Sequence, residues 1–122
     1  MVEIVGMDKR ITLDKQLEED IGPVILINKF NLDPQNVDQF LKAWASDAKI
    51  MRQQPGFIST QLHRGIAESC TFINYAVWES ISQFKQALSN PKFQAKTSDY
   101  PASTIASPNL FKKIAVPGIC VE

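Results

Sequence analysis

The sequence predicts an α+β fold of the ferredoxin-like type, in which two crossover helices cover one face of an antiparallel sheet. The length of 122 residues suits a single domain. β-branched and aromatic segments alternate with amphipathic helices in the order β-α-β-β-α-β. Both faces of the two central strands are apolar, although the helices can cover only one of them. The uncovered face predicts a homodimer with its sheets face to face, a dimeric α+β barrel.

The first strand and helix of this order have the strongest local signals. Residues 24–30 are mostly β-branched and aromatic, as in a strand. Asp33 and Pro34 then predict a helix start, with Asp as N-cap and Pro at the first helical position. The helix continues to Pro55 and Gly56, because apolar residues follow at three- and four-residue steps: Val37, Phe40, Leu41, Trp44, Ala48 and Met51.

The second half of the chain predicts a hairpin and then a last strand. Residues 57–64 and 71–79 are predicted strands, and residues 65–69 form the loop between them. Residues 98–108 are rich in Pro and Ser and are expected to be a surface loop. The last strand is expected at residues 110–116.

Two further helices are predicted between these strands. Ser80 and Gln83 form a capping box for a helix that carries Ile81, Phe84, Ala87 and Leu88. Asn90 and Pro91 start a shorter helix. The domain bounds follow: residues 1–22 form an N-terminal arm with a helical turn, residues 23–118 the domain, and residues 119–122 a C-terminal tail.

The composition excludes several classes of function. Equal numbers of basic and acidic side chains, 13 of each, argue against binding to nucleic acid. No apolar stretch approaches the roughly 20 residues that span a bilayer, and the polar start resembles no secretory signal, so a cytoplasmic chain without a membrane partner is expected. Cys70, Cys120 and His63 are too scattered to predict a metal site.

Two asparagines in the central strands mark the candidate site. Asn is depleted in strands, yet Asn28 and Asn74 occupy them on the face that also carries large apolar residues. Trp78 points to the same face, about 13 Å from Asn74 at ~3.3 Å per residue. Amides and an indole in an apolar slot suit a flat aromatic ligand with carbonyl or phenol oxygens. The predicted substrate contacts are Leu26, Phe30, Phe72 and Phe84.

A plainer interpretation of these residues stays open. Trp78 and Trp44 can be ordinary core residues, and the two amides can satisfy each other. Tyr75 falls on the opposite face and is expected in the subunit interface. His63 is expected at the rim, so the sequence offers no evident general base.

Around Asn74 the sequence resembles the antibiotic biosynthesis monooxygenase family of dimeric α+β barrels. The resemblance covers about residues 23–118 and rests on FINYAVWES at residues 72–80 and on Pro55-Gly56-Phe57. Members that act on polyketide anthrones use a first-strand Asn and a third-strand Asn-x-x-x-Trp, which Asn28, Asn74 and Trp78 match. The resemblance implies oxidation of an anthrone to a quinone by molecular oxygen, without a metal or flavin cofactor.

The sequence also departs from its relatives. Phe84 stands where some of these enzymes have Tyr, and a basic residue is replaced near Ser98 and Asp99. Haem-degrading members bind iron through a His near the position of Thr97, which this chain lacks, so haem degradation is disfavoured. Two hypotheses remain: a cofactor-independent monooxygenase for a small aromatic, favoured by the Asn, Asn and Trp set, and a non-catalytic dimeric small-molecule-binding or stress-related protein, favoured by the missing base.

Overall fold

The fold is a single sheet with helices packed on one of its faces, as a computed structural model of residues 2–122 describes it. The strands are β1 (Glu3–Ile4), β2 (Val24–Asn31), β3 (Phe57–Arg64), β4 (Thr71–Trp78) and β5 (Ile105–Phe111). The helices are α1 (Leu13–Gln16), α2 (Val37–Met51), α3 (Ile81–Leu88) and α4 (Pro91–Lys96), with 3-10 turns at Pro34–Asn36 and Thr97–Asp99. Within residues 2–122, none of the helices is both long and apolar enough to cross a membrane.

The strand order confirms the predicted α+β ferredoxin-like fold. The sheet runs β1-β5-β2-β4-β3, so that β2 and β4 lie side by side in antiparallel pairing, as predicted. The arm adds a strand that was not predicted, because β1 pairs in parallel with β5 and makes the sheet mixed. Strand β2 is consequently the central strand of the sheet, with β5 on one side and β4 on the other.

Burial separates the two faces of β2 and β4 as the alternation predicts. On the helix-covered face, Leu26, Phe72 and Trp78 are buried. On the opposite face, the side chains of Ile73 and Tyr75 each remain 38% exposed. The covered face contributes two core clusters, one around Trp78 and α3 and the other around Phe72 and α2.

Local signals set where the helices begin. The Ser80 hydroxyl accepts a hydrogen bond from the Gln83 amide at 3.1 Å, which is the predicted cap of α3. The Asn90 side chain caps α4 in the same way through the Lys92 amide. Asp33 makes no side-chain cap, and a 3-10 turn over Pro34–Asn36 precedes α2 instead.

The prediction for the last strand was wrong in its position, because the observed strand starts and ends five residues earlier than predicted. The strand is Ile105–Phe111 rather than residues 110–116, so its first half lies in the segment predicted as a loop. The Val5 amide bonds to the Ala106 carbonyl, and the Gln16 side chain bonds to the Leu110 amide and carbonyl. Ala106, Pro108 and Leu110 are alternate residues of β5, so all three direct their backbone groups away from β2. Pro108 therefore lies where its missing N–H removes no hydrogen bond between β5 and β2.

A bulge in β3 explains why its alternation is imperfect. Phe57 pairs with Trp78 but Ser59 pairs with Val77, so Ile58 is an extra residue in the strand. Phe57 and Thr60 consequently lie on the same, helix-covered face although they are three residues apart. His63, beyond the bulge, pairs with Ile73 on the opposite face and is exposed.

Candidate active site

A cavity of about 320 Å³ lies between the sheet and the helices. This volume is at the small end of the range of about 300–1,000 Å³ that is typical of ligand sites, so it suits one small molecule. Six of the seven predicted site residues line it: Leu26, Asn28, Phe30, Asn74, Trp78 and Phe84. The seventh, Phe72, was predicted as a substrate contact but lies outside the lining, because its ring packs 4.8 Å from that of Phe40 in the core cluster beside α2.

The two asparagines are direct partners in the register of β2 and β4. They do not bond to each other, because the Asn74 Oδ1 accepts a hydrogen bond from the Thr60 hydroxyl. No hydrogen bond within residues 2–122 uses the Asn74 Nδ2, so this donor is available to a ligand. The bulge in β3 is what brings Thr60 to this face.

Asn28 is the less satisfied of the pair. Its Oδ1 is buried and has no hydrogen-bond partner among residues 2–122. On its other side in the sheet stands Pro108, which offers no polar side chain. A buried polar atom without a partner costs about 1–3 kcal/mol, so a ligand hydroxyl that donated to this oxygen would remove the penalty.

Trp78 forms an apolar wall of the cavity. Its side chain is 2% exposed, and its ring lies 5.4 Å from that of Phe57 and 5.5 Å from that of Phe84. The edge-on and tilted contacts fix the indole plane. Phe84 also lines the cavity and carries no hydroxyl, so this wall is apolar.

A buried carboxylate, which the sequence analysis did not select, completes the cavity lining. Asp47 of α2 accepts a hydrogen bond from the Tyr100 hydroxyl at 2.9 Å through Oδ2, while its buried Oδ1 has no partner among residues 2–122. Burial raises the pKa of Asp47 to about 6, although the Tyr100 hydrogen bond lowers it. Burial and the neighbouring Asp47 raise the pKa of Tyr100 far above its usual value, so Tyr100 remains a donor.

The sequence contains a clue to Asp47 but none to Tyr100. Asp47 lies three residues after Trp44 and four before Met51, so it interrupts the apolar stripe of α2, and a carboxylate on such a stripe was the available clue. Tyr100 falls in the segment predicted as a surface loop, but it is 8% exposed and stacks 6.2 Å from Phe30. Nothing local in the sequence indicates that burial.

The charges around the cavity are few. Asp47 is the only charged side chain among the residues that line it. Within residues 2–122 the one ion pair is Lys15–Glu18, on exposed side chains, and no three His, Cys, Asp or Glu side chains are grouped to hold a metal ion. The pocket is therefore a mostly apolar slot with two amides, one indole, one carboxylate and the hydroxyls of Thr60, Thr97 and Tyr100.

The chain is similar in sequence to described proteins over most of its length. A family model described as antibiotic biosynthesis monooxygenase matches residues 23–96. A deoxynogalonate monooxygenase of Streptomyces nogalater is 27% identical over 92 residues, which make up 75% of this chain and 77% of that protein.

The fold is similar to several solved structures. SnoaB, a cofactor-independent oxygenase from Streptomyces nogalater, superposes with a TM-score of 0.70 at 25% identity, over 80% of this chain and 99% of that chain. A provisionally named monooxygenase from Shewanella loihica PV-4 is 32% identical, with a TM-score of 0.66 over 78% of this chain and 97% of that chain.

Proposed function

The chain belongs to the antibiotic biosynthesis monooxygenase family, and from this premise we propose that it oxidises a small aromatic substrate with molecular oxygen. The substrate class is an anthrone- or phenol-like ring, and the product is a quinone. The similarity to a deoxynogalonate monooxygenase and to a cofactor-independent oxygenase supports both the reaction type and the use of oxygen without flavin or metal.

One observation carries this proposal: in an apolar cavity the buried Asn28 Oδ1 lies on the strand partner of Asn74, and neither this oxygen nor the Asn74 Nδ2 has a hydrogen-bond partner among residues 2–122. The two residues are partners in the register of β2 and β4, and the Cβ atoms of such partners are about 5 Å apart, so this acceptor and this donor reach into the same part of the cavity. They match a ligand that carries a hydroxyl next to a carbonyl on a flat ring. Aromatic and aliphatic side chains around them would bury the ring itself.

The chemistry requires little beyond binding, orientation and a proton acceptor. Loss of a proton from the anthrone methylene gives an enolate, which passes one electron to oxygen. The radical and superoxide combine into a peroxide, which loses water to give the quinone carbonyl, so that CH₂ and O₂ become C=O and H₂O. Excluding bulk water would protect the peroxide.

In this scheme the polar side chains act on the substrate oxygens. The Asn74 amide would donate to the carbonyl oxygen as negative charge develops there, and the Asn28 oxygen would hold the neighbouring hydroxyl. Removing one such donor typically lowers a rate by about 10²–10³-fold. Trp78 would hold the ring, and its indole N–H could donate to a ligand oxygen.

We also propose that the working form is a homodimer. The face of the sheet without helices carries partly exposed apolar side chains in one contiguous patch, the open face: Ile25, Ile27, Ile73, Tyr75 and Val77. Large exposed apolar patches mark association sites. A second copy placing its own open face there would cover both sheets at once.

Incubation with anthrone in air tests the proposed reaction. We expect metal-free protein to raise the rate of quinone absorbance increase above the spontaneous rate, and Trp78→Phe to reduce that gain. The same mixture without oxygen should give no quinone. Tight anthrone binding with no acceleration would overturn the proposal and support the non-catalytic binding protein instead.

A further inference from the structure

We propose that Asp47 is the general base that removes the substrate proton, and that Tyr100 is the positioning residue that holds its carboxylate. This inference rests on the oxidation proposed above. The residues come from distant parts of the chain, α2 and the segment after α4, and meet at the wall of the cavity. Neither belongs to the asparagine and tryptophan set that the family resemblance identifies.

The hydrogen bonding of the carboxylate is incomplete in a way that suits this role. Tyr100 occupies Oδ2 at 2.9 Å and fixes the side chain, whereas the buried Oδ1 accepts nothing from residues 2–122. A purely structural carboxylate would satisfy both oxygens, since an unpaired buried one is unfavourable. A substrate proton is the partner that Oδ1 lacks.

The electrostatic surroundings keep this carboxylate basic. Among the described residues no Lys, Arg or His side chain lines the cavity, and the polar side chains that the sheet presents to it, those of Asn28, Thr60 and Asn74, are all neutral. Lys42 and Asp99 line a separate groove on the outside of α2. Burial raises the pKa of Asp47 to about 6, near the pH at which a general base works best.

The proton balance of the step is simple. The substrate C–H bond breaks, its electron pair remains in the enolate, and the proton binds to Oδ1 of Asp47. After oxygen has added, the protonated Asp47 returns this proton to the peroxide oxygen. The peroxide then loses water, so the carboxylate ends the cycle in its starting form.

Deuterium exchange under nitrogen isolates this step from oxidation. Anthrone in D₂O exchanges its methylene protons when they are abstracted, and NMR follows the loss of the methylene signal. We expect the wild-type protein to accelerate this exchange above the buffer rate and Asp47→Asn to lower the accelerated rate by about 10²–10⁴-fold. Asp38→Asn, an exposed change on the same helix, is the matched control and should exchange like the wild type.

A second variant tests the positioning role and keeps the inference testable if Asp47→Asn folds poorly. Tyr100→Phe preserves the packing on Phe30 but removes the hydrogen bond that lowers the pKa of Asp47. The midpoint of the acid limb of the exchange rate should therefore move to higher pH. An unchanged midpoint would show a merely structural tyrosine and overturn that half of the inference.

The outcomes separate this inference from the proposed function. The base assignment would be overturned if the wild-type protein oxidised anthrone in air and Asp47→Asn exchanged the methylene protons at the wild-type rate. The proposed oxygenase activity would then still stand. Exchange that depends on Asp47, without quinone in air, would support the base and overturn the oxidation.

Discussion

The two faces of the sheet reverse the usual distribution of polar and apolar groups. The cavity over the covered face is lined by two residues with a buried oxygen that has no hydrogen-bond partner among residues 2–122, Asn28 on the sheet and Asp47 on α2. The open face carries apolar side chains, with Tyr75 and Ile73 each 38% exposed. Native proteins usually pair buried polar atoms and cover large apolar patches.

The contrast shows that the two faces lack different kinds of binding partner. The covered face lacks a small ligand with hydrogen-bonding groups, since the volume left beside Asn28 and Asp47 is that of a small molecule. The open face lacks a broad apolar partner surface, because its own apolar side chains Ile25, Ile27 and Val77 lie side by side on neighbouring strands. Mutations on the two faces should consequently alter different measurements.

The largest effect is expected from a charge on the open face. Val77→Asp should abolish dimerisation or folding, because an unpaired charge buried in an interface costs several kcal/mol. Sedimentation velocity would show a dimer for the wild type and for the control Val77→Ile. A monomeric wild type at micromolar concentration would contradict the proposed assembly.

The next largest effect should come from the covered face and should spare stability. Asn28→Ala is expected to lower the rate of anthrone oxidation by about 10–100-fold, because the hydroxyl of the bound ring would lose its acceptor at a cost of about 1–3 kcal/mol. Its unfolding free energy should stay the same or rise, because an unsatisfied buried oxygen is removed.

A neighbouring residue on the same strand is the control for Asn28→Ala. Leu26→Ala removes buried apolar volume and should lower the unfolding free energy by about 2–5 kcal/mol. Urea titration of both variants measures the difference. Equal losses of stability would show that Asn28 is ordinary core.

The buried carboxylate should make stability depend on pH. The pKa of Asp47 is raised from 3.8 to about 6 in the folded state, so folding binds a proton between these values and stability falls as pH rises through them. At about 1.4 kcal/mol per pKa unit, the loss is at most about 3 kcal/mol.

Asp47→Asn should remove this dependence. Relative to the wild type, the variant should gain unfolding free energy at pH 8 and little at pH 4, measured by urea titration at both. Asp38→Asn should show no such difference. An equal gain at both pH values would contradict the raised pKa.

The smallest effect is expected from the residue that orients Asn74. Thr60→Val deletes the hydroxyl that bonds to the Asn74 Oδ1 and should lower the oxidation rate about tenfold, the equivalent of one hydrogen bond of about 1.4 kcal/mol. Thr60→Ser keeps the hydroxyl and should retain most of the rate. Loss in both variants would point to the methyl group instead.

The sequence was sufficient for features that depend on local pattern. Alternation in β2 and β4 predicted which side chains share the covered face, and the cap at Ser80 predicted the start of α3. These features follow from strand and helix periods that each segment contains. The family resemblance supported the same strand order.

Features that depend on distant segments could not be predicted in this way. Pro108 was predicted in a loop because proline lacks the N–H that a strand usually needs. Nothing near it in the sequence indicates that its nitrogen faces away from β2, where no donor is required. The bulge at Ile58 changes which residues face the cavity, and only the pairing with β4 reveals it. The bond between Asp47 and Tyr100 joins residues 53 positions apart.

The way the N-terminal arm meets β5 has a consequence for aggregation. An edge strand with free N–H and C=O groups can recruit a strand from another molecule. Here β1 and the two hydrogen bonds of the Gln16 side chain occupy such groups on β5, and Pro108 between them has no N–H to offer. On this side of the sheet the edge is therefore the two-residue strand β1, and so short an edge offers few groups to a strand from another molecule.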